Sequence, residues 1–452
     1  MGRNAAMELD TLNTDSATEV GSYFVANYPP FSVWSAEHLP AAARVLDTPV
    51  GERVDPGLAL APLGLYLHVP FCRKRCKFCY FRVYTDKNSS DVDDYLAALA
   101  REVALYADRP ALQGRDFDFV YFGGGTPSFL SSEQLQRLID RISEHWTWRN
   151  AREVTFECEP GTLRKGKLRT IKAIGTTRLS LGIEHFDDAI LSLNGRAHQS
   201  PEILRAYAWA REVGFDQINV DLIAGMMGDT ESKWKQAVDR TLSLEPDSLT
   251  VYQMELPHNT IISREAQQRH VPPPIADWVT KRAWVDHAFR QFEQAGYRMS
   301  SAYTVVKPSD RSRFVYRDAV WHGADMVGTG VASFSHLGGV HYQNVDRWEE
   351  YIERLSGGAL PLGRALPLTD RQRLIRELIL QFKLGRVDAA YFRAKFRVEI
   401  AALFQPALAS LVDADLATID HDDICLTRDG LLRVDALLPS FFEPEFRGIR
   451  YT

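Results

Sequence analysis

The fold of this chain is decided by the stretch Leu65-Tyr-Leu-His-Val-Pro-Phe-Cys72-Arg-Lys-Arg-Cys76-Lys-Phe-Cys79. Its first five residues are an apolar run typical of a short buried strand. The loop that follows holds three of only five cysteines in 452 residues. Thiolates spaced C-x3-C-x2-C fit one [4Fe–4S] cluster, whose complete ligation normally takes four cysteines. One iron would therefore stay open to a substrate or cofactor.

A zinc site, or three unrelated thiols, is the alternative interpretation of this loop. Zinc would require a fourth cysteine or histidine nearby, and apart from the three thiols none lies between Val69 and His145. The arginine and lysine residues between Cys72 and Cys76 would offset the negative charge of a cluster and its thiolates. We therefore favour the iron–sulfur cluster.

Beyond this loop, apolar strand patterns alternate with helical patterns. Strands are predicted at 65–69, 117–122, 154–158, 178–183, 217–223 and 248–252. Helices are predicted at 95–106 behind a Ser90/Asp91 cap, 135–142 behind a Ser131–Gln134 capping box, 163–174, 187–193, 201–213, 231–244 and 278–294. Six such units imply an α/β fold with a parallel sheet, open or incompletely closed as a (β/α)6 barrel.

Polar and glycine residues mark the ends of the predicted strands. Gly123-Gly-Gly-Thr126 follows the second strand, Glu157 and Glu159 end the third, Glu184 follows the fourth and Asp221 lies near the end of the fifth. In a barrel of this kind, chemistry gathers at the carboxyl ends of the strands. We expect these residues and the cysteine loop to surround one pocket.

The residues from Tyr66 to Phe81 resemble the signature of radical S-adenosylmethionine (AdoMet) enzymes. More narrowly, they are similar to the branch that contains oxygen-independent coproporphyrinogen III oxidase and its relatives, and the resemblance extends from about Leu65 to the C terminus. It implies that AdoMet chelates the open iron through its amino and carboxylate groups. One electron from the cluster then cleaves the sulfonium, and the resulting 5′-deoxyadenosyl radical abstracts hydrogen from the substrate.

The resemblance also assigns roles to individual residues. Cys72, Cys76 and Cys79 would be the catalytic residues and cluster ligands, and the AdoMet contacts would be Tyr66, Gly123, Gly124, Gly125, Thr126, Glu157, Glu184, Arg196 and Asp221. Glu184 stands where relatives often carry glutamine. For Glu157 and Asp221, the alternative is a pair of rim salt bridges with Arg178 and Arg196.

A second AdoMet is implied by the segment from Trp321 to Ser335, which matches a glycine-rich stretch of the oxidase. Trp321, His322 and Phe334 are candidate contacts for that second AdoMet or for the substrate. A tight structural turn is the equally weighted alternative.

The same likeness divides the chain into four parts. These are an N-terminal extension (1–60), the radical AdoMet barrel (61–305), a barrel extension with the second AdoMet or substrate region (306–366), and a small, mostly helical, winged-helix-like domain (367–452). Within them we expect a strand-like run at 297–303, a polar loop at 307–317, a helix at 371–384 and a β-ribbon pairing 424–426 with 431–434.

Three activities remain open at this point. The oxidase carries a further cysteine two residues after the third, and here that position is Phe81. One possible reaction is therefore oxidative decarboxylation of a tetrapyrrole propionate. The other is methyl transfer or cyclopropanation, which would use two AdoMet molecules. A heme chaperone is the non-enzymatic alternative, although Leu378–Leu384 is closer to the oxidase pattern.

Composition and charge indicate which partners and which cellular compartment to expect. A net charge of −6 argues against nucleic-acid partners, and no run reaches the ~18 apolar residues of a membrane span. With no apolar leader and few cysteines, we expect a cytoplasmic protein that takes a small-molecule substrate and a low-potential electron donor such as flavodoxin or ferredoxin. The remaining thiols, Cys158 and Cys425, are expected to be buried and structural.

Overall fold

The computed structural model describes residues 22–53, 60–309 and 313–449. Parts of the expected N-terminal extension (1–21 and 54–59) and of the polar loop (310–312) lie outside these residues. No helix of the described ranges is both long enough and apolar enough to cross a membrane.

Fifteen strands form two sheets in the described part of the chain. They are β1 (Leu63–Val69), β2 (Phe117–Gly124), β3 (Glu153–Cys158), β4 (Arg178–Glu184), β5 (Gln217–Ala224), β6 (Ser248–Gln253), β7 (Arg298–Met299), β8 (Thr304–Val306), β9 (Asp325–Thr329), β10 (Phe334–Leu337), β11 (Val340–Asn344), β12 (Leu362–Pro367), β13 (Arg386–Asp388), β14 (Ala417–Asp420) and β15 (Asp423–Leu426). The first twelve share one sheet and the last three form a small antiparallel sheet.

The helices fill the connections between these strands. They are α1 (Leu39–Asp47), α2 (Val50–Arg53), α3 (Ser89–Ala107), α4 (Ser132–Ser143), α5 (Lys165–Ala173), α6 (Asp188–Leu193), α7 (Ser200–Val213), α8 (Glu231–Leu244), α9 (Ile261–Arg269), α10 (Trp278–Gln294), α11 (Val315–Trp321), α12 (Trp348–Ser356), α13 (Asp370–Phe382), α14 (Ala389–Phe396), α15 (Ile400–Leu403), α16 (Gln405–Asp413), α17 (Arg428–Leu432) and α18 (Val434–Leu437).

Strands β1 to β6 lie side by side in chain order and pair in parallel. Their residues are almost continuously buried, because helices cover a parallel sheet of this kind. This arrangement confirms the predicted α/β fold with six strand–helix units. It also brings six carboxyl strand ends to one edge of the sheet.

The sheet continues past β1 into the segment between 325 and 367. Strand β9 pairs in parallel with β1, with Leu65 opposite Val327, and β10 to β12 add antiparallel strands at the edge. Residues 325–329 and 334–335 of the segment assigned to a second AdoMet or to a tight turn thus belong to the same sheet. At the other edge, the expected strand at 297–303 is replaced by β7 and β8, which pair antiparallel with each other.

A second hydrophobic cluster joins the two ends of the described chain. Val25 and Tyr28 pack with Tyr303 and with residues of the C-terminal helices, such as Phe442. The hydroxyl of Tyr28 accepts a hydrogen bond from the backbone N–H of Glu443 at 3.0 Å. The described residues at the start of the N-terminal extension therefore pack on the C-terminal part of the chain.

Three local predictions are wrong in detail. Residues 431–434 are helical, because Thr427 caps α17 and helical spacing turns Leu431 and Val434 toward the core. Strand β15 pairs with β13 and β14 rather than with these residues. Asn88 caps α3, rather than Ser90 or Asp91, and its side chain accepts two backbone hydrogen bonds. Cys425 is only partly buried, whereas Cys158 is buried as expected.

The attachment of β9 to the barrel depends on a buried ion pair. Arg115 donates to Asp325 at 2.7 Å, and their side chains are 4% and 8% exposed. We expect Arg115→Met to lower the free energy of unfolding by about 3–5 kcal/mol, because it leaves a buried carboxylate unpaired. Denaturant unfolding would measure the change.

The matched control is Arg109→Met, which breaks the more exposed pair with Asp47 at 2.9 Å. That change should cost roughly 0–1 kcal/mol. Equal losses in the two variants would contradict the role given to Arg115.

Candidate active site

The carboxyl ends of β1 to β6 surround a cavity of about 530 Å³. The predicted site residues that line it are Cys72, Cys76, Cys79, Gly124, Gly125, Thr126, Glu157, Glu184, Arg196, Asp221 and Trp321. The expected convergence of strand ends on one pocket is therefore present in the structure.

Four predicted residues lie away from the cavity lining. Tyr66 stacks on Tyr121 behind the wall, and Gly123 is packed against both of these rings. His322 is exposed at the end of α11, and Phe334 packs against Phe31 and Trp34 of the N-terminal segment. Of the three candidates for a second AdoMet, the structure thus brings Trp321 alone to the cavity.

Backbone hydrogen bonds hold the cysteine loop over the strand ends. The N–H of Cys72 donates to the carbonyl of Tyr84 at 3.0 Å, and the N–H of Tyr84 donates to Pro70 at 2.8 Å. The N–H of Lys77 donates to Asn194 at 3.0 Å, which ties the loop to the end of α6. All three thiols of the loop are free and face the cavity.

Cationic side chains approach the thiols from inside and outside the loop. Arg196 donates to the Sγ of Cys76 at 3.3 Å and to the carbonyl of Gly182 at 2.6 Å. Arg75 donates to the carbonyl of Cys79 at 3.2 Å. Burial raises the pKa of Cys72 to about 11, which favours the protonated thiol. Binding of a cationic metal centre would favour the thiolate instead.

Glu159 fixes another cation of the loop. It accepts hydrogen bonds from Arg73 at 3.1 and 3.2 Å and lies 2.9 Å from the Nδ1 of His198. Burial opposes ionisation of Glu159, but His198, Arg196 and Arg73 together lower its pKa to about 2. Glu159 is therefore a structural anchor for the loop.

The glycine strip, which is Gly123 to Gly125 at the end of β2, lies close to the cysteine loop. The N–H of Gly125 donates to Val69 at 2.9 Å, and a Cβ on Gly125 would meet the backbone of Pro70 and Phe71 at 2.8–2.9 Å. Gly124 has φ +112°, a conformation that favours glycine. The strip therefore presents bare backbone to the cavity, and Thr126 Oγ1 lies 3.3 Å from the Sγ of Cys72.

Three carboxyl groups, those of Glu157, Glu184 and Asp221, line the cavity at the strand ends. Glu157 accepts a hydrogen bond from the hydroxyl of Tyr121 at 2.6 Å, and burial raises its pKa to about 7. Asp221 accepts from Ser180 at 2.9 Å and from Asn219 at 2.8 Å, and burial raises its pKa as well. These groups are held in place and partly desolvated, as acceptors for a ligand's hydroxyl or ammonium groups would be.

Glu184 combines a salt bridge with an unusual backbone. Its carboxylate lies 3.5 Å from the guanidinium of Arg196. Burial raises the pKa of Glu184 to about 7, although Arg196 opposes that shift. Its φ of +63° is rare for a residue other than glycine, and it coincides with a register shift between β4 and β5. The irregularity aims this carboxylate at the cavity.

The far wall of the cavity lies partly in the expected second AdoMet or substrate region (306–366), but its residues were not predicted individually. It is formed by Phe314, Tyr316 and Arg317 around the start of α11, together with Tyr303 and Lys383 from beside the C-terminal block. The ring of Phe314 lies between two guanidinium groups, 4.0 Å from Arg178 and 5.6 Å from Arg317. The aromatic residues of 314–316, inside a loop dominated by polar residues, were the available signal.

The residues present fit an iron–sulfur cluster. They supply three soft thiolate donors on one short loop, cationic groups beside them and a cavity next to the open side. In the described ranges, no three or more His, Cys, Asp or Glu side chains converge on one metal ion, as a zinc site would require, whereas the thiolates of a [4Fe–4S] cluster each bind a different iron. Cys72, Cys76 and Cys79 would therefore hold the cluster, and the glycine strip with the three carboxyl groups would hold AdoMet.

Comparison with known proteins identifies the family. The family model of the radical SAM superfamily matches residues 66–241. Heme chaperone HemW of Mycobacterium tuberculosis is 31% identical over 389 residues, covering 85% of this chain and 96% of that protein. Oxygen-independent coproporphyrinogen III oxidase of Escherichia coli is 29% identical over 391 residues, covering 82% and 84%.

A solved structure has the same fold. The structure of coproporphyrinogen III oxidase from Escherichia coli superposes with a TM-score of 0.78 at 24% identity, over 94% of this chain and 99% of that one. The chain therefore belongs to the radical SAM superfamily. Within it, the chain falls in the branch that holds the coproporphyrinogen oxidases and HemW.

The raised pKa of Glu184 makes stability depend on pH. Its folded-state value of about 7 exceeds that of an unfolded chain, so its contribution is fully present below the unfolded pKa and is lost as pH rises through about 7. Glu184→Gln removes this titration. In cluster-free protein, the thermal midpoint of the variant minus that of the wild type should therefore rise between about pH 4 and pH 8.

Glu133→Gln on the exposed face of α4 is the control, and its difference from wild type should stay flat across the same range. A flat difference for Glu184→Gln as well would contradict the buried, neutral-favouring environment.

Proposed function

We propose that this protein is a radical AdoMet enzyme that carries out oxidative decarboxylation of a carboxylate-bearing tetrapyrrole. The observation that carries this proposal is one cavity with two unlike walls. Thiols, glycine backbone and carboxyl groups line one side, and aromatic rings with buried cations line the other. The first side suits the cluster and AdoMet, and the second suits a large, flat, anionic substrate.

When bound, the cluster and AdoMet supply one-electron cleavage of the sulfonium and a 5′-deoxyadenosyl radical that abstracts hydrogen. The protein's own residues position these groups. Gly125 allows the ligand to approach the backbone closely, and Glu157 and Asp221 would accept hydrogen bonds from hydroxyl or ammonium groups. A buried setting also limits side reactions of a reactive radical with groups from solution.

The far wall would orient the substrate. Arg317 is buried and lines the cavity, and Asp318 and Ser300 hold one edge of its guanidinium at 2.7–2.9 Å. Its Nη1 has no hydrogen-bond partner among the described residues. Burial lowers the pKa of Arg317, so an anionic substrate group beside it would offset the cost of the buried charge.

Heme binding without turnover is the second candidate. Two observations favour it: Phe81 stands where the resemblance places a further cysteine of the oxidase, and the HemW relative is 31% identical over nearly its whole length. Methyl transfer with two AdoMet molecules has less support, because His322 and Phe334 lie outside the cavity lining.

The first test is anaerobic reconstitution with iron and sulfide, followed by dithionite, AdoMet and coproporphyrinogen III. We expect 5′-deoxyadenosine and a decarboxylated tetrapyrrole by mass spectrometry. Cys76→Ala should abolish both products and reduce bound iron, because the cluster loses one of three ligands. Cys425→Ala, a thiol on β15 in the small C-terminal sheet, is the matched control and should retain both.

Other outcomes of this experiment separate the alternatives. A fully loaded cluster that yields no 5′-deoxyadenosine, together with tight one-to-one heme binding, would replace the enzyme by the chaperone. S-adenosylhomocysteine formed together with 5′-deoxyadenosine would indicate methyl transfer.

The substrate wall can be tested at Arg317. We expect Arg317→Met to raise the KM for the tetracarboxylate substrate roughly tenfold or more, because it removes a charge-assisted hydrogen bond. Formation of 5′-deoxyadenosine without substrate should be unchanged. The exposed neighbour Arg313 provides the control Arg313→Met, which should leave KM near the wild-type value. Equal KM values in the two variants would remove Arg317 from substrate binding.

A further inference from the structure

We propose that the outer face of the cysteine loop and the adjoining helix α9 form a docking surface for an acidic one-electron carrier protein. We call it the carrier face, and define it by the exposed side chains of Phe81, Arg82, Arg264 and Arg269. This inference rests on the proposed function, because radical AdoMet chemistry consumes one electron per AdoMet cleaved. That electron leaves the reduced carrier and enters the cluster.

Two hydrogen bonds join the segments that make up this face. The side chain of Asn259 donates to the carbonyl of Tyr80 at 3.1 Å, and the N–H of Ile262 donates to the carbonyl of Lys77 at 3.2 Å. Helix α9 is thus fixed against the cysteine loop from its first residue. The two basic segments form one continuous surface.

The charge of this face is opposite to that of the protein as a whole. Between residues 72 and 87 the sequence has six lysine or arginine residues and one aspartate, although the whole chain has a net charge of −6. Arg73 and Arg75 are engaged inward, by Glu159 and by the carbonyl of Cys79. Arg82 is exposed beside Tyr84, and a local positive field of this kind steers an acidic partner.

Helix α9 adds to the same field. Arg264 and Arg269 are exposed on it, and its one acidic residue, Glu265, is partly buried. The side chain of Arg264 donates to the backbone carbonyls of Asn259 and Thr260, which holds its guanidinium at the start of the helix beside the loop. These cations are therefore presented in fixed positions.

An exposed aromatic residue lies within the face. Phe81 is 43% exposed and lies two residues after Cys79, with its ring 4.8 Å from that of Tyr80. Leu193 at the end of α6 is 45% exposed, and the bond from Lys77 to Asn194 brings it to the same loop. An apolar centre with charged residues around it is the usual composition of a protein interface. A carrier seated there would lie directly over the cluster ligands.

The test compares charge reversals on and off this face, in reconstituted full-length protein. Arg82→Glu with Arg269→Glu reverses two cations of the carrier face. Arg101→Glu with Arg141→Glu makes the same change in charge on the exposed sides of α3 and α4. The probe is flavodoxin, an acidic one-electron carrier, and the first measurement is its dissociation constant for each protein at low salt.

We expect the carrier-face variant to bind flavodoxin at least roughly tenfold more weakly than wild type, and the control variant to bind it normally. The difference should shrink at 0.5 M NaCl, because salt screens exposed charges. Reduction of the cluster by flavodoxin should slow in parallel, whereas reduction by dithionite, which needs no docking, should be unchanged.

Equal flavodoxin affinity in wild type and both variants would overturn the carrier face. Equal weakening in both variants would also overturn it, since net charge alone would then explain the effect. The binding measurement does not depend on AdoMet cleavage. Wild-type protein that fails to cleave AdoMet with dithionite would instead disprove the proposed function.

Discussion

The active site depends on the close approach of two backbones at the ends of β1 and β2. Gly125 lies so near the backbone of Pro70 and Phe71 that even a Cβ would collide with it. This contact sets the cysteine loop directly over the glycine strip. The hydrogen bond from the N–H of Gly125 to the carbonyl of Val69 fixes the distance between the two segments. The thiols, the strip and the carboxyl groups can face one cavity because the parallel register places these strand ends level.

The cavity that results has opposite electrostatic character on its two sides. Glu157, Glu184 and Asp221 are desolvated on the side of the strand ends, and Arg317 is desolvated on the other. Each group carries a free-energy cost that a complementary ligand would relieve. The strained backbone of Glu184 fits the same picture, since such conformations persist where the surrounding structure holds them for a purpose.

The six strand–helix units could be predicted because buried parallel strands and amphipathic helices each leave a clear local pattern. Most of the cavity lining near the cysteines could also be predicted, since its residues lie at the ends of those strands. The far wall could not, because Phe314 and Arg317 reach the cavity by packing across the sheet, at long sequence separation from the thiols. The parallel pairing of β9 with β1 is equally non-local. Residues 431–434 looked like a strand because four residues are too few to separate the two periodicities.

The second hydrophobic cluster has a consequence for how the molecule is assembled. Tyr28 and Glu443 are 415 residues apart in sequence, yet they bond to each other beside Ala26, which borders the cavity. A ribosome releases the N-terminal partner long before the C-terminal one. The barrel and its cysteine loop are thus synthesised while this side of the cavity still lacks its wall. The site is completed only after the segment around Glu443 has emerged.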